Sequence, residues 1–263
     1  MDGVIDIKIS SLIAGYSLLL IPLGVILFMR VPIFGRTLIA LVRMTVQLLF
    51  VGLYLQVIFR LNNPWLNSLW VLVMIVVADI SIARGSGLRL RRFALPLFIS
   101  LLVGTAVPLL FFLGPILRRP NLLDAQYAIP IAGMILGNCL RADIVGIKSF
   151  YDAVRRGDKA YLNTLAQGAS LKEALGPYMR DAIEASLAPT VATIATIGLV
   201  ALPGMMTGVI LGGADPMVAI KYQIAIMIAI FSGTSLTVLL ALLLTGRSSF
   251  NGFGVLDRAL FKD

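Results

Sequence analysis

The chain has 263 residues, of which 59% are hydrophobic and 13% charged, with a net charge of +9, no histidine and one cysteine, Cys139. Soluble domains carry about 25% charged residues, so a large soluble core is excluded. An intrachain disulfide, a cysteine metal cluster and histidine proton transfer are excluded as well. The fold class this leaves is all-α, a polytopic transmembrane helical bundle treated as a single domain over residues 1–263.

A bilayer core takes about 20 apolar residues in helical form. Apolar runs predict spans at 10–29, 38–59, 65–83, 94–116, 127–147, 187–211 and 218–245, about seven in all. The opening MDGVIDIKIS lacks a basic region followed by a small-residue cleavage site, so the first span is expected to do the targeting. Span two contains Arg43 and Gln47, which share one helix face. Asp79, near the end of span three, is their candidate partner. Polar groups inside a membrane either face a path or a partner, or snorkel to the interface. Both readings stay open for Arg43, Gln47 and Asp79.

The apolar run of span five ends at Leu140, before Arg141 and Asp143, so its last turns belong in an interface or a protein-lined cleft. Asn138, in MILGNCLRAD, is a path candidate or a brace between helices. Residues 148–186 form the one long connection and read as two amphipathic helices around the break Gly168–Ser170. Ser170 and Glu173 fit a capping box. Leu171, Leu175, Tyr178, Met179, Ala182 and Ile183 then recur at helical spacing, opposite Lys172, Glu173, Arg180, Asp181 and Glu184. Pro177 argues against one straight helix. Such a cytoplasmic hairpin either lies on the bilayer or docks a partner.

In span six, GMMTGVILGG places Gly204, Gly208 and Gly212 at four-residue spacing. A phosphate loop needs lysine and then Ser or Thr after its glycines. Gly212 and Gly213 are followed instead by Ala214 and Asp215, so this chain should hydrolyse no nucleotide itself. The glycines fall on one helix face and permit close helix approach. Pro203 should kink or divide the span, which makes Pro203, Gly204, Gly208 and Gly212 either packing residues or a hinge beside a path. Met205 and Met206 offer thioethers suited to a soft cation, or simply fill the core. Asp79, Asp143 and Asp215 form no recognisable cage for a hard cation. Asp215 and Pro216 fit the cap and first position of the next helix.

Positive charges fall in alternate loops. One set holds Arg30, Arg36, Arg84, Arg89, Arg91, Arg92, Lys148, Arg155, Arg156, Lys159, Lys172, Arg180, Arg247, Arg258 and Lys262. The other holds only Lys8, Arg60, Arg118, Arg119 and Lys221. The positive-inside rule predicts an outside N-terminus and a cytoplasmic C-terminus. The basic charge then sets topology and contacts anionic lipid, with no nucleic acid as partner.

The runs LPGMMTGVILGGADPMVAIKYQIAI, IPIAGMILGN (129–138), LAQGAS (165–170) and RMTVQLLFVGLYLQVIF (43–59) resemble a membrane subunit family of ABC transporters. That family includes the bacterial iron export permease and the plant aluminium-tolerance protein, and the likeness covers nearly the whole chain. The resemblance implies a multi-pass permease of the inner (plasma) membrane that is not itself an enzyme and binds no cofactor. ATP and magnesium would sit in a separate ATPase subunit, with a second copy of the permease completing the assembly. Leu165, Gly168, Ala169 and Ser170 resemble the segment that couples such permeases to their ATPase, although the usual glutamate-alanine-alanine start is missing. The implied cargo is iron, another metal or a small organic solute. A secondary transporter coupled through Asp79 and a non-transporting scaffold are the alternatives.

Overall fold

The computed structural model describes residues 7–257. Residues 1–6, and with them most of the opening segment, lie outside the described residues, as do Arg258 and Lys262. Every regular element among the described residues is a helix. Helices α1 (Ile9–Tyr16) and α2 (Leu20–Phe28) are joined by one 3-10 turn, and α3 (Phe34–Leu61) and α4 (Pro64–Gly85) follow. Helix α5 (Leu90–Phe111) runs on through a π-helical turn to Ile116. Then come α6 (Ala125–Arg156), α7 (Asp158–Ala166), α8 (Leu171–Thr196), α9 (Gly204–Leu211) and α10 (Pro216–Ser249).

Local chemistry sets the boundaries. Asn63 accepts from Trp65 N ahead of Pro64 at the first position of α4, and Asp124 accepts from Gln126 N to start α6. Asp215 accepts from Met217 N and Val218 N to start α10, with Pro216 first in the helix as the sequence predicts. The capping box of α8 forms as expected: the Ser170 hydroxyl accepts from Glu173 N, while the Glu173 carboxylate accepts from Ser170 N at 2.8 Å. Helix α7 ends in a Schellman motif, Gly168 N to Leu165 O at 3.0 Å and Ala169 N to Thr164 O at 3.3 Å, which needs the left-handed φ of +93° at Gly168.

Contacts between helices establish the direction of each pass. Asp143 meets Thr237 and Tyr151 meets Ser249, so α6 and α10 run parallel. Gly146 faces Ser186 and Gly157 faces Tyr178, so α8 runs antiparallel to α6. Gly104 faces Gly233 and Arg92 reaches Ser248 O, so α5 is antiparallel to α10. The chain therefore returns along α8 before starting α10. Among the described residues, six helical stretches are long and apolar enough to cross a membrane: Ile9–Phe28, Phe34–Leu61, Pro64–Gly85, Leu90–Ile116, Ala125–Arg156 and Pro216–Ser249.

Two expectations change. The predicted span 187–211 is not one helix, because α8 ends at Thr196 and the chain is non-helical until Gly204. Pro203 is the residue before α9, with an extended backbone, so it divides the segment rather than kinking it. The 148–186 hairpin has no outer boundaries of its own: its first part is the end of α6 and its last part is continuous with the rest of α8. Pro177 stays within α8. It and Glu173 are exposed, so the carbonyl that loses a bond at Pro177 is open to solvent.

The core lies between α4, α5, α6, α8 and α10, with Phe93, Phe112, Phe150, Tyr151 and Leu101 fully buried. At the crossing of α5 and α10, a Cβ on Gly233 would lie 2.7 Å from Gly104 O, so both positions require glycine. Helices α1 and α2 bury nothing, and α3 buries Ile58, against Ala125 and Ile129. Tyr16 and Thr45 share a hydrogen bond between the first two passes. Outer faces rich in leucine, valine and isoleucine suit a hydrocarbon solvent.

Candidate functional site

Helices α6, α8 and α10 enclose a cleft of about 500 Å³. From α6 it takes Asn138 and Arg141; from α8, Ser186, Thr190 and Thr193; from α10, Met227 and Ile230. The polar lining follows from the pattern of α6, where the apolar run gives way to Arg141 and Asp143. It also follows from the four-residue spacing of Ser186 and Thr190 on α8, which puts both on one face. Behind the cleft, Asp143 is fully buried. Its Oδ2 accepts from the Thr237 hydroxyl at 2.9 Å, and its Oδ1 has no hydrogen-bond partner among the described residues. One turn on, Gly146 lets α8 approach closely: a Cβ there would collide with Ser186 Oγ.

A second cavity, about 680 Å³ and mostly apolar, continues along α8, α9 and α10 past Pro203, Met206 and Gln223. Met227 lines both spaces, so they adjoin. Gln223 is buried, with its carbonyl oxygen unpartnered. The two together form a groove whose walls change from hydroxyl and guanidinium groups to methyls and thioether.

Of the residues singled out in the sequence, Asn138, Pro203 and Met206 reach this groove. Asn138 also donates to Met134 O at 2.8 Å, and Met205 packs against the core. Asp79 is buried on α4 with Oδ1 unpartnered, away from the groove lining. Arg43 and Gln47 sit with Arg36 along an exposed, shallow depression of α3, and no ion pair joins Arg43 to Asp79 among the described residues. Gly204 and Gly208 have nothing within 4 Å of an added Cβ, and Gly212 meets only the backbone of its own helix. The glycine face of α9 is therefore open among the described residues. Leu165 packs beside Gly254, next to the α7 end formed by Gly168, Ala169 and Ser170. Sequence reasoning passed over Ser186, Thr190, Thr237 and Gly146. The available signal was a Ser and a Thr four residues apart in an apolar stretch, facing a helix that carries the buried carboxylate of Asp143. No group of three or more His, Cys, Asp or Glu able to hold a metal occurs among the described residues.

Comparison with known proteins places these features in a family. The profile of the "Uncharacterised protein family (UPF0014)" matches residues 9–250. The probable iron export permease protein FetB of Escherichia coli is 36% identical over 80% of this chain and 79% of its own length. The UPF0014 membrane protein STAR2 of Oryza sativa is 31% identical over 88% of this chain and 80% of its own. The Arabidopsis thaliana protein Aluminum sensitive 3 is 32% identical over 73% of this chain and 69% of its own. No solved structure matches. The matched region runs from the first apolar helix to the end of α10 and takes in every wall of the groove; the chain belongs to the UPF0014 family.

Proposed function

We propose that this chain is the membrane permease subunit of an ABC transporter that exports iron or another metal, with a separate subunit hydrolysing ATP bound with magnesium. The observation that carries the reading is the groove between α6, α8 and α10, polar at Arg141 and apolar at Met206, inside an apolar multi-pass bundle. Its relatives support the cargo class, through the probable iron export permease of E. coli. The basic residues Arg84, Arg92, Arg155, Arg156 and Lys172 lie at one end of the bundle, where α7 joins α6 to α8, and that end is read as cytoplasmic. The N-terminus is then outside and the C-terminus inside, with α8 as a further pass that the charge at its start hides from composition. The turn between Leu165 and Ser170 is the coupling surface for the ATPase, and a second permease copy completes the pair.

Reconstitution in sealed vesicles, with and without a candidate ATPase subunit, tests the proposal by metal flux. ATP-dependent flux that needs both chains is expected. Flux driven by an ion gradient with no ATPase present would instead establish a secondary transporter, in which a buried carboxylate such as Asp79 or Asp143 carries the coupling ion.

A further inference from the structure

The cleft is built for an anion rather than for a bare cation. Arg141 lines it, and the one hydrogen bond of that side chain runs from Nε to its own Gly137 carbonyl at 3.3 Å. Its terminal guanidinium nitrogens have no acidic partner among the described residues. Across the cleft, the Thr190 hydroxyl makes no hydrogen bond among the described residues, and Asn138 Nδ2 uses one of its two hydrogens on Met134 O. Thr193 donates to Pro189 O at 2.9 Å and Ser186 to Ala182 O at 2.6 Å, which leaves their oxygens as acceptors. The unused groups thus include a fixed positive charge and two neutral donors. A bare metal ion would meet only neutral oxygens and the Met227 thioether here, beside an uncompensated guanidinium and with no carboxylate in the lining to offset its charge. The nearest carboxylate, Asp143, does not line the cleft, because it is fully buried and tied to Thr237.

We infer that the cleft binds an oxyanion-bearing cargo, with Arg141 as the anchoring residue and Thr190 and Asn138 as the neutral donors that orient it. A guanidinium meets a carboxylate or phosphate with two parallel N–H···O bonds, a geometry an ammonium group does not reproduce. Under the export reading, on which this inference rests, a metal leaves as an anionic chelate whose ligand oxygens face the protein. The chain recognises the chelator and never coordinates the ion. This accounts for a metal-exporting relative alongside the absence of a metal-ligand cluster among the described residues.

Equilibrium binding to the full chain in lipid nanodiscs tests the assignment without ATP or a partner, so its outcome is separable from that of the transport experiment. The probes are ferric citrate, citrate alone, inorganic phosphate, and ferrous and manganous ions without chelator. Ferric citrate and at least one metal-free oxyanion should bind and compete with each other. Arg141→Gln should weaken them at least tenfold, Arg141→Lys should recover only part of the loss, and Thr190→Val should weaken them severalfold. Arg141 is exposed, so these variants should fold, which circular dichroism and thermal melting of the same samples would verify. Binding of the bare ions but of no oxyanion, or oxyanion binding unchanged in Arg141→Gln, would overturn the inference. So would the failure of every probe to bind.

Discussion

The Thr237 hydroxyl donates to Asp143 Oδ2 at 2.9 Å, and this bond joins two parallel helices, α10 and α6, at a point where both residues are fully buried. The other carboxyl oxygen has no partner among the described residues. Thr237→Val keeps the shape and removes the donor, so the whole carboxyl group is left unsatisfied. A loss of about 1–3 kcal/mol is expected. Thr237→Ser should recover most of it. Melting midpoints of the two variants in one detergent give the comparison, and equal midpoints would mean the bond contributes nothing.

Glycine has opposite consequences at two places. At Gly233 an added Cβ would lie 2.7 Å from Gly104 O and 2.9 Å from Ile135, so Gly233→Ala must push α10 away from α5. Overpacking of this kind costs about 1–3 kcal/mol. At Gly208 nothing lies within 4 Å, and alanine favours the helix by up to about 1 kcal/mol. Gly208→Ala should therefore leave the isolated chain as stable or more so. If it lowers transport without lowering the melting point, the α9 face meets something outside this chain.

The segment after α10 is fastened to the far end of the bundle at several points. Tyr161 donates to Gly254 O at 2.5 Å, and Arg92 pairs with Asp257 at 2.7 Å. Burial pushes the Tyr161 phenol up to about 12, so it stays a donor throughout the neutral range. Tyr161→Phe should cost about 1 kcal/mol and speed amide exchange in residues 251–257. Arg92→Gln should cost less than about 1 kcal/mol, because the ion pair is half exposed and screened. Equal exchange rates in Tyr161→Phe and the parent chain would show that the segment is held by other contacts.

Hydrogen bonds from Ser170 hold the Glu173 carboxyl below its ordinary range. A depressed value in the fold means that the stabilisation is present above the unfolded value and is lost as pH falls through the folded one. The first turn of α8 should therefore fray on acidification below the usual glutamate range, and Ser170→Ala, which removes the hydroxyl but keeps the backbone N–H donor, should reduce that pH dependence. Exchange rates of the amides of 171–174 across acidic pH would show it. A flat profile in the parent chain would rule the capping box out as a source of pH sensitivity.

Features carried by neighbouring residues were legible in the sequence. Ser170–Glu173, Asp215–Pro216 and the interruption at Pro203 each depend on side chains within a few positions of the backbone they control, and each occurs where its pattern indicates. The glycine repeat of α9 carries less, because periodicity shows that three positions share a face but says nothing of what that face meets. The close approaches at Gly104, Gly146 and Gly233 carry no periodic mark and depend on helices far apart in the chain. Asn138 was legible as a polar residue in an apolar helix, whereas Thr190 and Ser186 opposite it became visible only once α8 was seen to run back along α6. A returning pass was expected from 187, but its pairing with α6 and its start at Leu171 were not.

Between Thr196 and Gly204 the main chain leaves the helical ladder, turning on Gly198 at a φ of +84° with Gly198 N bonded to Ala201 O at 2.9 Å. Peptide groups released this way must find partners or water, because hydrocarbon supplies neither. Leu199 and Val200 nevertheless project from the turn almost fully uncovered, at 90% and 82%. The amides of 197–200 are bonded within the turn itself, so the joint keeps its own backbone partnered while it holds greasy side chains outward, a combination suited to a boundary where lipid, water and protein meet. A swivel at that depth would let the short helix after it turn without dragging the long one before it.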